Sequence, residues 1–202
     1  QYIEAWLMKN SPAATEEGNG IYVLENTPGT GAAYDGEEFV SVSFTISSMD
    51  GTITSTTDEK IAQQIGTYEP GNYYGDKIWY TAENKITVGM EDLLKGMKVG
   101  QVKKVLIPGW LNVYTRHDKK DEYFKDTENT GSNAIYEVKL LGFMKDIYEW
   151  QAGQVDEFCE KEFGHKLDTV SRGFWYRQVK APVSDKAYPK DTTIYVNYTG
   201  RL

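Results

Sequence analysis

Cysteine is almost absent from this sequence: Cys159 is the only one among 202 residues. A lone cysteine excludes an intrachain disulfide and a cysteine-based metal cluster, and it leaves the redox compartment open. Cys159 falls on the apolar face of a predicted helix, where a buried packing residue is favoured over a reactive thiol. We therefore expect the Cys159 side chain to pack in an interior and to have no chemical role.

Long apolar runs and an excess of basic charge are missing as well. No stretch approaches the roughly 18 apolar residues that a membrane span requires. With 22 basic and 30 acidic residues the formal net charge is −8. Affinity for nucleic acid rests on neutralising phosphates, so we expect no nucleic-acid partner.

The residue combinations that perform acid–base, metal or phosphate chemistry are also missing. The sequence shows no catalytic triad, no paired histidines and no phosphate-binding loop. The two histidines, His117 and His165, are too far apart in sequence to suggest a joint ligand set, and we expect both at the surface. The sequence thus predicts no nucleophile, no acid–base residue, no metal and no cofactor.

What the chain does contain is an internal repeat of helix, linker and strand. The first copy opens with the helical pattern YIEAWLMKN and reaches a strand at residues 21–24. The second copy opens with the longer helical stripe that begins at DIYEW and reaches the strand FWYRQV. Two landmarks match: Gly20-Ile-Tyr-Val with Gly173-Phe-Trp-Tyr, and VSVSFT ending at Thr45 with IYVNYT ending at Thr199.

The repeat divides the chain into segments. We expect an N-terminal helix and linker at 1–19, a first domain at 20–143, a helical connector at 144–172, and a truncated second copy of the domain at 173–202. Apolar side chains alternate from Ile194 to Tyr198, which predicts a strand. We expect this strand to pair with a sheet edge of this or a neighbouring molecule, giving self-association, or to be poorly ordered.

The first domain combines strand patterns with one short helical pattern. VSVSFTI places four apolar side chains on one face: Val40, Val42, Phe44 and Ile46. GMEDLLKGM forms one helical stripe: Met90, Leu93, Leu94 and Met97. AIYEVKLLGF gives a last strand with one apolar face: Ala134, Tyr136, Val138 and Leu140. An antiparallel sheet against one helix is an α+β architecture. We expect most side chains of the helical stripe to pack in the core, and Met90 to lie at a pocket.

The order of several short motifs resembles the FKBP-type peptidyl-prolyl cis-trans isomerases. After the short helix come a Met-x-Val-Gly turn, a strand that closes on Ile-Pro, and a final Val-x-Leu-Leu strand. The residues of the turn and of the strand end are Met97, Val99, Gly100, Ile107 and Pro108. The terminal Tyr-Thr-Gly resembles a second landmark of the family, which stands before an Asp-Gly hairpin. In the first copy this landmark reads FTIS, and Asp50 and Gly51 follow it. The match covers residues 20–143.

This resemblance implies a sheet wrapped around the helix, with an apolar pocket between them that grips a proline. Rotation about an X-Pro bond faces a barrier of about 18–20 kcal/mol and is slow without a catalyst. An apolar pocket that holds the proline twisted lowers this barrier without making or breaking a bond. The missing catalytic groups therefore do not argue against an enzyme.

Carried over by position, the resemblance implies a set of pocket residues in the first domain: Phe44, Ile86, Thr87, Met90, Val113, Tyr114 and Tyr136. In the second copy it implies Tyr198. The helix-start aromatic of the family is replaced by Met90, and the Phe-Asp after the hairpin by Thr54 and Ser55. The implied function is a prolyl isomerase (rotamase) and folding helper; the alternative is a non-catalytic chaperone, peptide-binding or dimerisation module.

Two segments are longer than the connections that an FKBP-like sheet and helix need. Residues 52–85 carry five of the aromatic side chains: Tyr68, Tyr73, Tyr74, Trp79 and Tyr80. We favour a lid that packs its own aromatics over the sheet edge, and a peptide- or carbohydrate-binding surface is the alternative. Residues 115–133 are expected to form a solvated charged loop, with a calcium-loop spacing around Asp126 and Glu128 as the weaker alternative.

The resemblance also extends to location and partners. Acidic, tandem FKBP-like chains resemble exported bacterial lipoproteins, which implies a periplasmic or outer-membrane-anchored protein. The lipid-bearing cysteine would then lie upstream of Gln1. Proline-containing polypeptides are the implied partners.

Overall fold

The structure is a computed structural model that describes residues 2–36, 38–82, 85–117, 119–126, 130–184 and 186–200. The chain divides into two units, Gln1–Trp150 and Gln151–Leu202, and each is described by itself. Among the described residues, no helix has both the length and the apolar character needed to cross a membrane.

The first unit is an antiparallel sheet with short helices. Its elements are α1 (Tyr2–Asn10), β1 (Thr15–Glu17), β2 (Ile21–Thr27), β3 (Phe39–Ser48), β4 (Ile53–Thr56), α2 (Glu59–Gln64), β5 (Lys77–Tyr80), α3 (Val88–Leu94), β6 (Val102–Ile107), α4 (Lys120–Tyr123) and β7 (Ala134–Met144). The strands run in the order β1-β2-β6-β7-β3-β4, and β5 pairs with the first half of β3. The α+β architecture predicted from the sequence is confirmed.

The inner face of this sheet forms the core with α3. Val40 and Val42 of β3, and Val138 and Leu140 of β7, are fully buried. β3 and β7 pair along their lengths, so that Ile46 lies directly opposite Tyr136. Because side chains at every second position of a strand share one face, the alternation in VSVSFTI and AIYEVKLLGF predicted this core correctly.

The helix α3 begins at a polar cap. Thr87 has an extended backbone, and its hydroxyl accepts a hydrogen bond from the Met90 amide at 3.4 Å. This bond satisfies one of the amides that an α-helix leaves unpaired at its start. The cap therefore fixes where the helix begins and where Met90 stands.

The helix ends earlier than its apolar stripe suggested. Leu93 and Leu94 are fully buried, but Lys95 leaves the helical conformation (ψ 121°) and Gly96 follows with φ +72°. Met97, predicted on the same helical stripe, lies beyond the helix and is nevertheless fully buried. A glycine at positive φ is a common way to end a helix, since it lacks the Cβ that would clash there.

The second unit repeats the local structure of the chain start. α5 (Ile147–Phe163) begins in the first unit and is followed by the antiparallel pair β8 (Asp168–Ser171) and β9 (Phe174–Tyr176). Gly173 joins this pair at φ +79°, and Gly20 stands between β1 and β2 at φ +92°. Both copies thus consist of a helix, a short hairpin and a glycine at positive φ. The sequence predicts linkers where β1 and β8 lie, because TEE and DTVS contain too few apolar residues to show the alternation of a strand.

The terminal strand predicted at Ile194 to Tyr198 is wrong. Among the described residues, 192–200 belong to no strand, and Ile194, Val196 and Tyr198 are 54, 70 and 90% exposed. Alternation marks one apolar face, but a strand forms only when its backbone groups find a partner. Pairing with a sheet edge is therefore not seen among the described residues, whereas pairing with a neighbouring molecule and a pocket role for Tyr198 stay predictions.

The burial predicted for Cys159 and the exposure predicted for His165 are confirmed, whereas the exposure predicted for His117 is not. Cys159 is buried, as expected, and His165 is exposed. His117 was expected at the surface, but its side chain is only 14% exposed. It packs edge-on against Tyr123, with ring centroids 6.0 Å apart, and its Nε2 lies 3.5 Å from a carboxylate oxygen of Asp126. The surface prediction for His117 is therefore wrong, because the segment around it folds back on itself.

The turn between β3 and β4 is closed by Asp50. Gly51 takes φ +91°, and the Asp50 carboxylate accepts hydrogen bonds from the Ser48 hydroxyl and the Thr52 amide. These bonds, the one from Ser48 foremost, lower the pKa of Asp50 to about 2.

We expect the Asp50 carboxyl to titrate near pH 2 in the folded protein, against about 3.9 in an unfolded chain. Because the folded pKa is the lower one, Asp50 stabilises the fold above about pH 4, and this contribution is lost as the pH falls through about 2. Carboxyl carbon NMR shifts measure the midpoint. Ser48→Ala should raise it, whereas Thr54→Ala, which removes a hydroxyl bonded to the Ile46 carbonyl, should not. A wild-type midpoint near 4 would contradict this assignment.

Candidate functional site

Four of the predicted pocket residues converge on one apolar cluster. Ile86 and Tyr136 belong to the buried core, at 6 and 5% exposure. Phe44 and Met90 are partly buried and pack against the same core. These four side chains come from β3, the segment before α3, α3 itself and β7, so the fold places residues that are far apart in sequence on one hydrophobic core.

The other three predicted residues have different surroundings. Thr87 is buried and caps α3, as described above. Val113 is 2% exposed, and its carbonyl accepts a hydrogen bond from the Val88 amide at 2.8 Å. Tyr114 is 56% exposed, so the structure leaves much of its side chain outside the core.

Two residues that the sequence did not assign to the pocket belong to the same cluster. Ile46, opposite Tyr136, and Trp79, in β5, are partly buried against the core. The rings of Trp79 and Phe44 lie 5.2 Å apart with an interplanar angle of 37°. Ile46 could have been found, because it shares the alternation of Phe44. No sequence pattern placed Trp79 on the core, because its position there depends on the pairing of β5 with β3.

The rest of the aromatic insertion packs on itself and on β3. Tyr68 stacks on Tyr74 with centroids 5.4 Å apart, and Tyr80 stacks on Phe39 at 5.1 Å. The hydroxyl of Tyr73 donates to Asp76 at 2.9 Å, a bond that raises the pKa of this tyrosine. These contacts agree with an insertion that packs its own aromatics along the sheet edge.

A charged contact holds the loop after β6 against α3. The Asp92 carboxylate is 6% exposed and accepts two hydrogen bonds from the Arg116 guanidinium, at 2.8 and 3.1 Å. These bonds raise the pKa of Arg116, and Lys95 approaches the same carboxylate at 3.2 Å. Two backbone bonds add to this, from Val88 to Val113 and from the Gly89 amide to the Leu111 carbonyl at 2.7 Å. The loop that carries Val113 and Tyr114 is thereby fixed on the start of the helix.

The side of the cluster at β4 is polar. Thr54 and Ser55 are exposed, and the Thr54 hydroxyl donates to the Ile46 carbonyl at 3.2 Å. On the other strand the Tyr136 hydroxyl donates to Asn112 at 2.9 Å, and burial raises the pKa of Tyr136. The hydroxyl is therefore neutral at physiological pH. The cluster thus presents partly exposed apolar side chains, Phe44, Trp79 and Met90, beside a polar edge at β4.

No metal site is found among the residues that the structure describes: no three histidine, cysteine, aspartate or glutamate side chains are placed to hold an ion together. The calcium-loop spacing predicted around Asp126 and Glu128 includes Glu128, which lies outside the described residues.

No family model and no curated protein matches the chain. Among solved structures the chain is similar to FkpA from Escherichia coli, with 18% identity and a TM-score of 0.43, over 70% of this chain and 55% of FkpA. It is similar to a peptidyl-prolyl cis-trans isomerase from Pseudomonas syringae pv. tomato, with 18% identity and a TM-score of 0.44, over 69% of this chain and 88% of that one. It is also similar to the three FKBP domains of wheat FKBP73, with 22% identity and a TM-score of 0.41, over 62% and 46% of the chains. The chain thus spans about half the length of FkpA, and the solved structures to which it is similar are of the FKBP type.

Proposed function

We propose that the first domain binds X-Pro segments of polypeptides on the apolar cluster and accelerates their cis/trans isomerisation. The observation that carries this proposal is the partial exposure of Phe44, Trp79 and Met90 on a core that contains Ile86 and Tyr136. Apolar side chains that are anchored in a core and still reach solvent form a pre-organised surface for an apolar ring. A pyrrolidine ring fits this chemistry.

The proposed mechanism needs no acid–base group. The rotation barrier comes from the charge-separated, planar form of the amide. An apolar wall disfavours that form, and holding the ring on Phe44 and Trp79 favours the twisted amide over the planar one. Lowering the barrier by about 4 kcal/mol would accelerate the rotation about a thousandfold.

A second candidate function is binding without catalysis. It is favoured by Met90 at the helix start and by the exposed Thr54 and Ser55 on β4, which provide neither a ring nor a carboxylate beside Ile46. Such a surface would hold a polypeptide but would give the twisted amide little extra stabilisation. A chaperone-like, peptide-binding or dimerisation module would then be the outcome.

We further propose that residues 173–202 begin a second copy of the domain, after the first domain at 20–143 and the connector at 144–172. The support is the repeated sequence of helix, hairpin and positive-φ glycine. A periplasmic or lipid-anchored location remains part of the proposal.

The test is an NMR exchange measurement of cis/trans rates on a short X-Pro peptide with the full chain. We expect acceleration by the wild type and a loss of at least about tenfold with Phe44→Ala, because the proline loses its main aromatic contact. Tyr80→Ala is the matched control: it removes an aromatic ring stacked on Phe39, outside the cluster, and should leave the rate unchanged. Circular dichroism verifies that each variant is folded.

Two outcomes separate the two candidate functions. Binding of the peptide without acceleration would assign the binding function and reject catalysis. The double variant Thr54→Phe/Ser55→Asp should then create or raise the activity, because it supplies the ring and the carboxylate that β4 lacks. No binding and no acceleration by a folded chain would reject both.

A further inference from the structure

A second concave surface of the first unit is a groove of about 800 Å³, and its lining residue Trp110 packs against the same core as the apolar cluster. It is bounded by α1, the β1–β2 hairpin, the β3–β4 turn, the segment after β6, and α4. None of the residues predicted for the proline pocket lines it. Its volume lies in the range of about 300–1,000 Å³ that is typical of ligand sites.

The walls of this groove are held by specific hydrogen bonds. On one side, Trp6 of α1 donates its indole N–H to the Met49 carbonyl at 2.7 Å. On the other, the Tyr123 hydroxyl at the end of α4 donates to the Gly131 carbonyl at 2.9 Å and accepts from the Gly131 amide at 3.1 Å. The Gly109 amide donates to the Asn133 side chain at 2.7 Å. The groove is therefore formed by elements with defined positions.

Aromatic side chains face the groove from several elements. They are Tyr2, Tyr22, Trp110, Tyr123 and Phe124. Tyr2 and Phe124 are 70 and 68% exposed. Trp110 lies directly on Gly20, where a Cβ would come within 2.6 Å of the indole, so the hairpin requires glycine for this close approach as well as for its φ of +92°. Large exposed rings gathered in a concave surface are typical of binding sites.

The charge that lines the groove is mainly negative. Glu4, Glu16 and Asp50 line it, together with one lysine, Lys120. Burial raises the pKa of Tyr22, and the negative charges of Glu16 and Glu4 raise it further, so both carboxylates act on a side chain that lines the groove. Negative charge beside aromatic faces favours a cation, which gains Coulomb attraction and cation–π contact together.

We propose that this groove binds an extended polypeptide segment that carries lysine or arginine side chains, with no requirement for proline. Its charge and its aromatic walls complement such a segment, and its size admits several residues. It is a second polypeptide site in the first unit, independent of whether the apolar cluster binds or isomerises X-Pro bonds.

The test uses the full chain and a labelled, proline-free octapeptide of alternating lysine and alanine, followed by fluorescence anisotropy. A matched octapeptide with glutamine in place of lysine is the reference ligand. We expect the lysine peptide to bind at least about tenfold more tightly, and to weaken as salt rises, because the attraction is partly screened. Equal binding of the two peptides would overturn the proposal.

Charge-matched variants locate the site. Glu4→Gln/Glu16→Gln should weaken binding of the lysine peptide about fivefold, since each of these exposed carboxylates can form only a modest ion pair with a lysine of the peptide. Glu59→Gln/Glu69→Gln changes the net charge equally, on α2 and the loop after it, and should have less than about a twofold effect. Equal losses in the two double variants would show non-specific attraction and would contradict the groove.

A shape variant separates the two sites of the first unit. Phe124→Ser removes an exposed ring from the groove and should weaken lysine-peptide binding about fivefold. Phe44→Ala should leave it unchanged, because Phe44 does not line the groove. Loss of binding with Phe44→Ala would place the peptide on the apolar cluster and overturn the proposal.

Discussion

Arg116→Met is expected to lower the free energy of unfolding by about 2 kcal/mol. Asp92 is 6% exposed, and without the guanidinium its carboxylate would stay buried and would keep the contact with Lys95 at 3.2 Å. Removing one partner of a fully buried ion pair costs about 3–5 kcal/mol, and the expected cost is smaller here because Arg116 is itself 47% exposed. Urea denaturation, with the transition followed by circular dichroism, measures the change.

The same carboxylate offers a matched control. Lys95→Met removes a partner that is 69% exposed and makes a single contact, so it should cost less than about 0.5 kcal/mol. Asp92→Leu/Arg116→Met should recover much of the loss, because it removes the buried charge as well as its partner. Equal costs for the two single variants would contradict the assignment of the guanidinium as the main partner.

This contact also has a consequence for the proposed function. Arg116 holds the loop that contains Val113 and Tyr114 against α3. If that loop helps to form the binding surface, Arg116→Met should weaken X-Pro peptide binding beyond what partial unfolding explains. Affinity measured well below the unfolding transition separates the two effects.

Gly89→Ala is expected to destabilise the first unit by about 2 kcal/mol, although alanine is the better helix former. A Cβ at this position would lie 2.4 Å from the Ile107 Cγ2 and 3.1 Å from the Leu111 carbonyl oxygen. Ile107 is fully buried in β6, so it has little room to move. Overpacking of this kind costs about 1–3 kcal/mol, which exceeds the gain of up to about 1 kcal/mol in helix propensity.

Gly142→Ala is the control for this substitution. Gly142 lies in β7 of the same unit, and a Cβ there would meet no atom within 4 Å. Its replacement should change the free energy of unfolding by less than about 0.5 kcal/mol. Because Gly89 is followed by Met90, the alanine variant should also reduce X-Pro exchange catalysis if α3 is displaced. A stability of Gly89→Ala equal to the wild type would contradict the close contact with β6.

The first domain shows why the position of some residues on the core can be predicted from the sequence and that of others cannot. Phe44, Met90 and Tyr136 lie on elements with a clear period of two or about 3.6, and the motifs around them have a recognisable order. Trp79 lies in an insertion, where no local pattern tells which strand its segment joins. His117 was misjudged for the same reason: a charged stretch gives no sign that it folds back onto Tyr123.

At the end of the chain, a local sequence pattern predicted an element that the structure does not contain among the described residues. Ile194 to Tyr198 have the local pattern of a strand, yet no strand forms there among the described residues. Periodicity reports which face of a segment is apolar, whereas pairing depends on a second strand at the right place.

The sequence by itself determined the α+β class, the apolar faces of β3, α3 and β7, the burial of Cys159, and the repeat of helix and strand. These follow from side-chain periodicity and from local backbone preferences, which act over a few residues. Only the tertiary structure decided that Trp79 joins Phe44, that Asp92 holds Arg116, and that α1 and α4 enclose a groove. Such contacts join residues far apart in the chain, and they depend on shape complementarity and charge pairing that arise only when the sheet has closed around its core.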